Sequence, residues 1–85
     1  MLVTHALRTE GEPVRFGFVV GRSVGNAVIR NRVKRRLRAI AHGLLPSVSE
    51  GTAVVVRALP PAAEGSSAEL DADVRRALER GGVLK

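Results

Sequence analysis

The alternation of apolar and polar positions changes period several times along this chain, and each change marks an element. Leu2 to Leu7 mixes apolar and polar residues in the manner of a strand. Thr9-Glu10-Gly11-Glu12-Pro13 interrupts it with turn chemistry, since glycine admits positive φ and proline donates no ladder hydrogen bond. Val14 to Val20 is dense in β-branched and aromatic residues and predicts a second strand. The short interruption predicts that these two strands pair as an antiparallel hairpin. Gly21 to Asn26 then reads as a loop with two glycines, with room for a third, short strand.

A helical period follows. Asn26 is positioned as an N-cap, because its side-chain oxygen can accept from a free backbone N–H of the first turn. The helix is expected from Ala27 to His42, with Gly43 as its breaker and Pro46 just beyond. Ala53-Val54-Val55-Val56-Arg57-Ala58 is nearly continuous in apolar residues, which suits a strand buried on both faces. Pro60-Pro61 ends it. Ser66-Ser67-Ala68-Glu69 has capping-box spacing. It opens a final helix to about Arg80, with Leu70, Val74, Ala77 and Leu78 at helical spacing and Gly81-Gly82 after it. The order β-β-(β)-α-β-α predicts an α+β fold. A small mixed sheet carries a long helix and a C-terminal helix packed on it.

Composition narrows the class. Eighty-five residues make a single domain, 1–85, with a modest core. That core must be aliphatic, because Phe16 and Phe18 are the only aromatics. With no cysteine, disulfides and thiolate metal sites are excluded, which fits a reducing cytoplasm. No apolar run approaches the roughly 20 residues of a membrane-spanning helix. The start lacks the basic region of a secretion signal.

Charge changes the picture most. Fourteen Lys and Arg stand against eight Asp and Glu, a formal charge of +6. From Pro13 to Ser49 there is no acid at all, while the same stretch carries Arg15, Arg22, Arg30, Arg32, Lys34, Arg35, Arg36 and Arg38. On a helical wheel at roughly 100° per residue, Ile29, Val33, Leu37, Ile40 and Leu44 fall in one narrow docking stripe. Arg30, Asn31, Lys34, Arg35 and Arg38 form an adjoining arc, and Arg32 and Arg36 lie near the opposite edge. Like charges at i,i+4, such as Arg30/Lys34 and Lys34/Arg38, repel by a few tenths of a kcal/mol each. A polyanion supplies the missing counter-charge, and guanidinium groups chelate phosphate in pairs of hydrogen bonds. Nucleic-acid binding with counterion release is therefore the reading of this helix, against the simpler one of a solvated charged face.

The run from Arg15 to Arg38, with Val24-Gly25-Asn26-Ala27-Val28 leading into Arg30-Asn31-Arg32, Lys34-Arg35 and Arg38, closely resembles the "RNR" helix of the bacterial ribonuclease P protein component. The likeness extends more loosely over the whole chain. It implies the ribosomal protein S5 domain 2-like version of the α+β fold. It also implies the accessory, non-catalytic subunit of a tRNA-processing endonuclease whose chemistry is done by an RNA with Mg2+ held mainly by that RNA. The implied partners are the catalytic RNA and precursor tRNA, with no DNA and no membrane, in the cytoplasm. Carried over residue by residue, the RNA-binding set is Arg22, Asn26, Arg30, Asn31, Arg32, Lys34, Arg35 and Arg38. Phe16 and Phe18 are candidates for contact with the 5′ leader, or else core residues of one strand face. Departures are Gly21 where the family often has Ser, Ser23 where it often has a cation, and His5 where it tends to place Tyr. Family members also carry a helix before the first strand, so the natural start is expected upstream of Met1.

Other chemistry finds little support. His5 and His42 lie far apart with no cysteine or paired carboxylates, so no protein metal site is expected. Ser23, Ser47 and Ser49 have no base partner in the pattern. Glu69, Asp71 and Asp73 suit the start of a helix dipole. Gly21–Asn26 matches no phosphate-loop pattern. The competing function is a non-catalytic RNA-packing protein such as a ribosomal component. A DNA regulator lacks the companion helix of a helix-turn-helix. A membrane-surface helix lacks a wide enough apolar face.

Overall fold

Thr52–Ala58, the most apolar strand, takes the centre of the sheet. The structure, a computed structural model, describes all 85 residues and orders them as β1 (Leu2–Arg8), β2 (Arg15–Val19), α1 (Ala27–Leu44), β3 (Thr52–Ala58) and α2 (Ser67–Arg80). The sheet order is β1-β3-β2. β3 pairs antiparallel with β1, from Leu2 opposite Ala58 to Arg8 opposite Thr52. It pairs parallel with β2, from Arg15 opposite Ala53 to Val19 opposite Arg57. The predicted β1–β2 hairpin is thus not formed. β3 has the most apolar surface to bury, so it takes two neighbours and separates the other strands.

Both helices cover one face of this sheet. Thr52, Val54, Val56 and Ala58 point toward them and are buried. They join Val33, Leu37, Ile40 and Leu44 of α1 and Leu70, Val74 and Leu78 of α2 in one aliphatic core. Each such Leu or Val, fully buried, contributes on the order of 1.5–3 kcal/mol. The other face has no helix on it. There Ala53 and Val55 are half-buried and Arg57 is exposed. Val3, Leu7 and Val19 share that face and are exposed. β3 is therefore buried on one face only, not on both as its composition predicts.

Two further local expectations change. Arg22–Val24 forms a 3-10 turn where a short strand was expected. α1 passes through Gly43 to Leu44, because Leu44 is fully buried and anchors the last turn in the core. A 3-10 turn at Leu45–Ser47, containing Pro46, then stops it. The C-terminal segment closes against this corner. Ser49 N–H donates to Val83 O at 2.8 Å, and Lys85 N–H donates to Ser47 O at 2.7 Å.

Candidate nucleic-acid interface

The entry to α1 is fixed by two residues. Gly25 sits at φ +155°, and a Cβ there would meet the Ile29 side chain at 2.9 Å. Asn26 turns the chain into the helix, and its side-chain oxygen accepts from Ile29 N–H at 3.0 Å, as its capping position predicts. That orientation lays Val33, Leu37, Ile40 and Leu44 on the core and directs the cations outward.

The cations then divide into two groups. On one side, Arg30, Lys34 and Arg38 follow each other at i,i+4 spacing, beside the line of Asn31 and Arg35. Asn31, Arg35 and Arg38 are exposed, and Arg30 and Lys34 are half-buried along their stems. Val28, Asn31, Lys34, Arg35 and Arg38 line a shallow groove of about 440 Å³. On the other side, Arg32 donates to Ala63 O at 2.9 Å, and Arg36 donates to Gly65 O at 2.6 Å. These two guanidinium groups tie α1 to the 3-10 turn at Pro60–Glu64 that leads into α2. They leave the free cationic ridge to Arg30, Lys34, Arg35 and Arg38.

No carboxylate neutralises that ridge. The ion pairs of the chain are Arg15 with Glu12, Arg75 with Asp71, and the terminal amine with Asp73, none of which involves α1. The Nε–H of Arg30 is buried and meets no acceptor in the chain. The result is an array of like charges on one helix, with no internal acidic partner, that gives this face a positive potential.

The remaining sequence-derived candidates are placed as follows. Arg22 is exposed on the 3-10 turn preceding α1. Asn26 spends its side-chain oxygen on the cap. Phe16 and Phe18 lie on the helix-facing side of β2, packed against the core. Their rings stack on each other, with centroids 6.4 Å apart and planes 20° apart. His, Asp and Glu side chains form no group of three that could hold a metal ion. No helix is long and apolar enough to cross a membrane. Sequence reasoning passed over Val28, whose place in the groove becomes visible only once α1 is docked. It also passed over the two carbonyl contacts of Arg32 and Arg36, which join residues 31 and 29 positions apart and so leave no local pattern.

Known proteins resemble this chain in sequence and in fold. The family model described as Ribonuclease P matches residues 1–82. The ribonuclease P protein component of Beutenbergia cavernae is 60% identical over 74 residues, covering 86% of this chain and 62% of that protein. That of a Nocardioides species is 55% identical over 85 residues, covering 96% of this chain and 73% of the relative. Against the Beutenbergia protein the chain thus spans less than two thirds of the relative's length. Among solved structures, the Staphylococcus aureus RNase P protein superposes with a TM-score of 0.84 at 24% identity, over 99% of this chain and 77% of that one. The Thermotoga maritima RNase P protein gives 0.81 at 24% identity, over 93% and 76%. At that identity the likeness to the solved structures speaks for a shared fold.

Proposed function

This chain belongs to the ribonuclease P protein family, and from that premise we propose that residues 1–85 form an RNA-binding domain serving as the protein subunit of ribonuclease P. Its partners are the catalytic RNA and the precursor tRNA whose 5′ leader that RNA removes. The chain breaks no bond itself. Its work is to neutralise phosphates where folded RNA chains approach each other, so that fewer Mg2+ ions are needed to hold them together. The metal ions that activate water belong to the RNA.

One observation carries this reading: Arg30, Lys34, Arg35 and Arg38 form a ridge with no acidic partner anywhere in the chain. We assign the phosphate contacts to these four, with Asn31 beside them and Arg22 at the helix entry. Arg32 contributes charge to the field while its side chain holds the carbonyl of Ala63. Asn26 acts by capping. Phe16 and Phe18 are assigned to the core wall, on the strength of their packing.

Reconstitution tests the proposal. The full chain is added to ribonuclease P RNA and precursor tRNA, and cleavage is followed across a Mg2+ series. The protein should lower the Mg2+ concentration required, and Lys34→Ala and Arg38→Ala should each reverse part of that gain. A Mg2+ requirement that the protein does not move would overturn the reading in favour of a generic RNA-packing protein.

A further inference from the structure

The groove on α1 contains one residue that phosphate binding does not explain. Val28 is 76% exposed, more than any other large hydrophobic side chain in the chain. It stands in the first turns of α1, on the same helical line as Asn31 and Arg35 at i, i+3 and i+7. An exposed, β-branched residue is a poor choice for helix propensity, where Ala, Lys or Arg serve better. A phosphate gains nothing from two bare methyl groups. The flat side of a nucleobase or the carbon edge of a ribose does, since covering them removes apolar surface from water on both partners.

The neighbours of Val28 complete such a site. Asn31 is exposed, and its amide is engaged in none of the chain's hydrogen bonds. That amide offers both a donor and an acceptor, as a base edge requires. Lys34, Arg35 and Arg38 close the far side of the same groove with positive charge. Its volume of about 440 Å³ lies in the range of clefts that receive small ligands. A regular duplex presents phosphate rows and stacked bases whose faces are hidden. Only an unpaired nucleotide shows an apolar face, a free base edge and a phosphate together.

We propose that this groove receives one unpaired nucleotide of the RNA partner. Its base or ribose lies on Val28, its base edge bonds to Asn31, and its phosphates meet Lys34, Arg35 and Arg38. The proposal rests on the RNA-binding reading above and adds selectivity for an extruded nucleotide over plain duplex.

The test uses the full chain and two fluorescently labelled RNA hairpins, identical except for a single bulged nucleotide. Anisotropy titrations are run across a salt series. Wild type should bind the bulged hairpin about tenfold more tightly. Val28→Ala removes two methyl groups, so it should weaken the bulged complex about fivefold while leaving the salt slope unchanged. Because Val28 is exposed and Ala is the better helix former, circular dichroism should show the variant folded. Asn31→Ala should narrow the preference in the same direction. Equal affinity of wild type for both hairpins, or a preference untouched in Val28→Ala, would overturn the proposal. Failure of the broader reading looks different: neither hairpin binds, or binding shows no dependence on salt.

Discussion

The two helices of this small protein face the same sheet and obey different rules. α2 follows every local convention for a stable helix. Ser66 accepts from Glu69 N–H at 3.1 Å, and Glu69 accepts from Ser66 N–H at 3.0 Å, a complete capping box. A carboxylate occupies its first turn, an arginine its last, and Asp71 pairs with Arg75 one turn on. α1 has a comparable buried stripe and a proper cap at Asn26. Beyond these it has no acid in its first turn and no ion pair along its length. Its cations repel each other at i,i+4. The fold compensates charge on one helix and leaves it uncompensated on the other, the helix to which we assign the RNA contacts.

The sharpest way to break this comparison is to remove charge from each helix in turn. Replacing Arg30, Lys34 and Arg38 together by Ala should weaken RNA binding about 100-fold near physiological salt. It should also lower the log–log salt slope by about three. The matched replacement of Arg75, Arg76 and Arg80 on α2 should leave that slope nearly unchanged, as filter binding across a salt series would show. Equal losses from the two triples would erase the distinction between the helices.

Within α1 the cations themselves should divide. Arg36→Ala removes a charged donor from the carbonyl of Gly65 and should cost the free protein about 1–2 kcal/mol in urea unfolding. On α2, Ser66→Ala dismantles the capping box and should cost about 1 kcal/mol by the same measurement. Arg38→Gln goes the other way. With no RNA present, it relieves repulsion from Lys34 and Arg35 and should stabilise the protein by a few tenths of a kcal/mol. A loss of stability on Arg38→Gln would mean that the ridge is internally compensated after all.

The smallest effect concerns acid. Hydrogen bonds from the backbone and hydroxyl of Ser66 hold the Glu69 carboxyl below its ordinary value of 4.5. The group therefore adds stability at neutral pH. That contribution begins to fade as pH falls to about the ordinary value, and it is gone once pH passes below the lowered one. Melting temperatures of wild type and Glu69→Gln should differ at pH 7 and converge toward pH 3. A constant gap across that range would remove the capping box from the account of α2.

What could be read directly from the sequence was local. The Asn26 cap, the docking stripe of α1, the capping box at Ser66 and the acid-free basic helix all rest on spacings of a few residues. The structure keeps each of them. What escaped was set by distant partners. The sheet order depends on which strand has most apolar surface to bury, and Val54 and Val56 outcompete β1 and β2 for the centre. Gly43 fails to break α1 because Leu44 has a place in the core just beyond it. In the interface the same division holds. The free cations were legible as a charge pattern, whereas the attachment of Arg32 and Arg36 to Ala63 and Gly65 required knowing where the chain returns.

The strand order also governs when the protein can form during its own synthesis. The two edge strands are made first, and the segment that joins them, residues 52–58, comes only after the whole of α1. At ribosomal speeds of about 5–20 residues per second, roughly two to eight seconds separate Val19 from Ala58. Within that interval α1 itself is made, before the central strand that completes its docking surface. Closure waits for residues 52–58, and the pairing of Leu2 with Ala58 forms only after all the chain between them has been made.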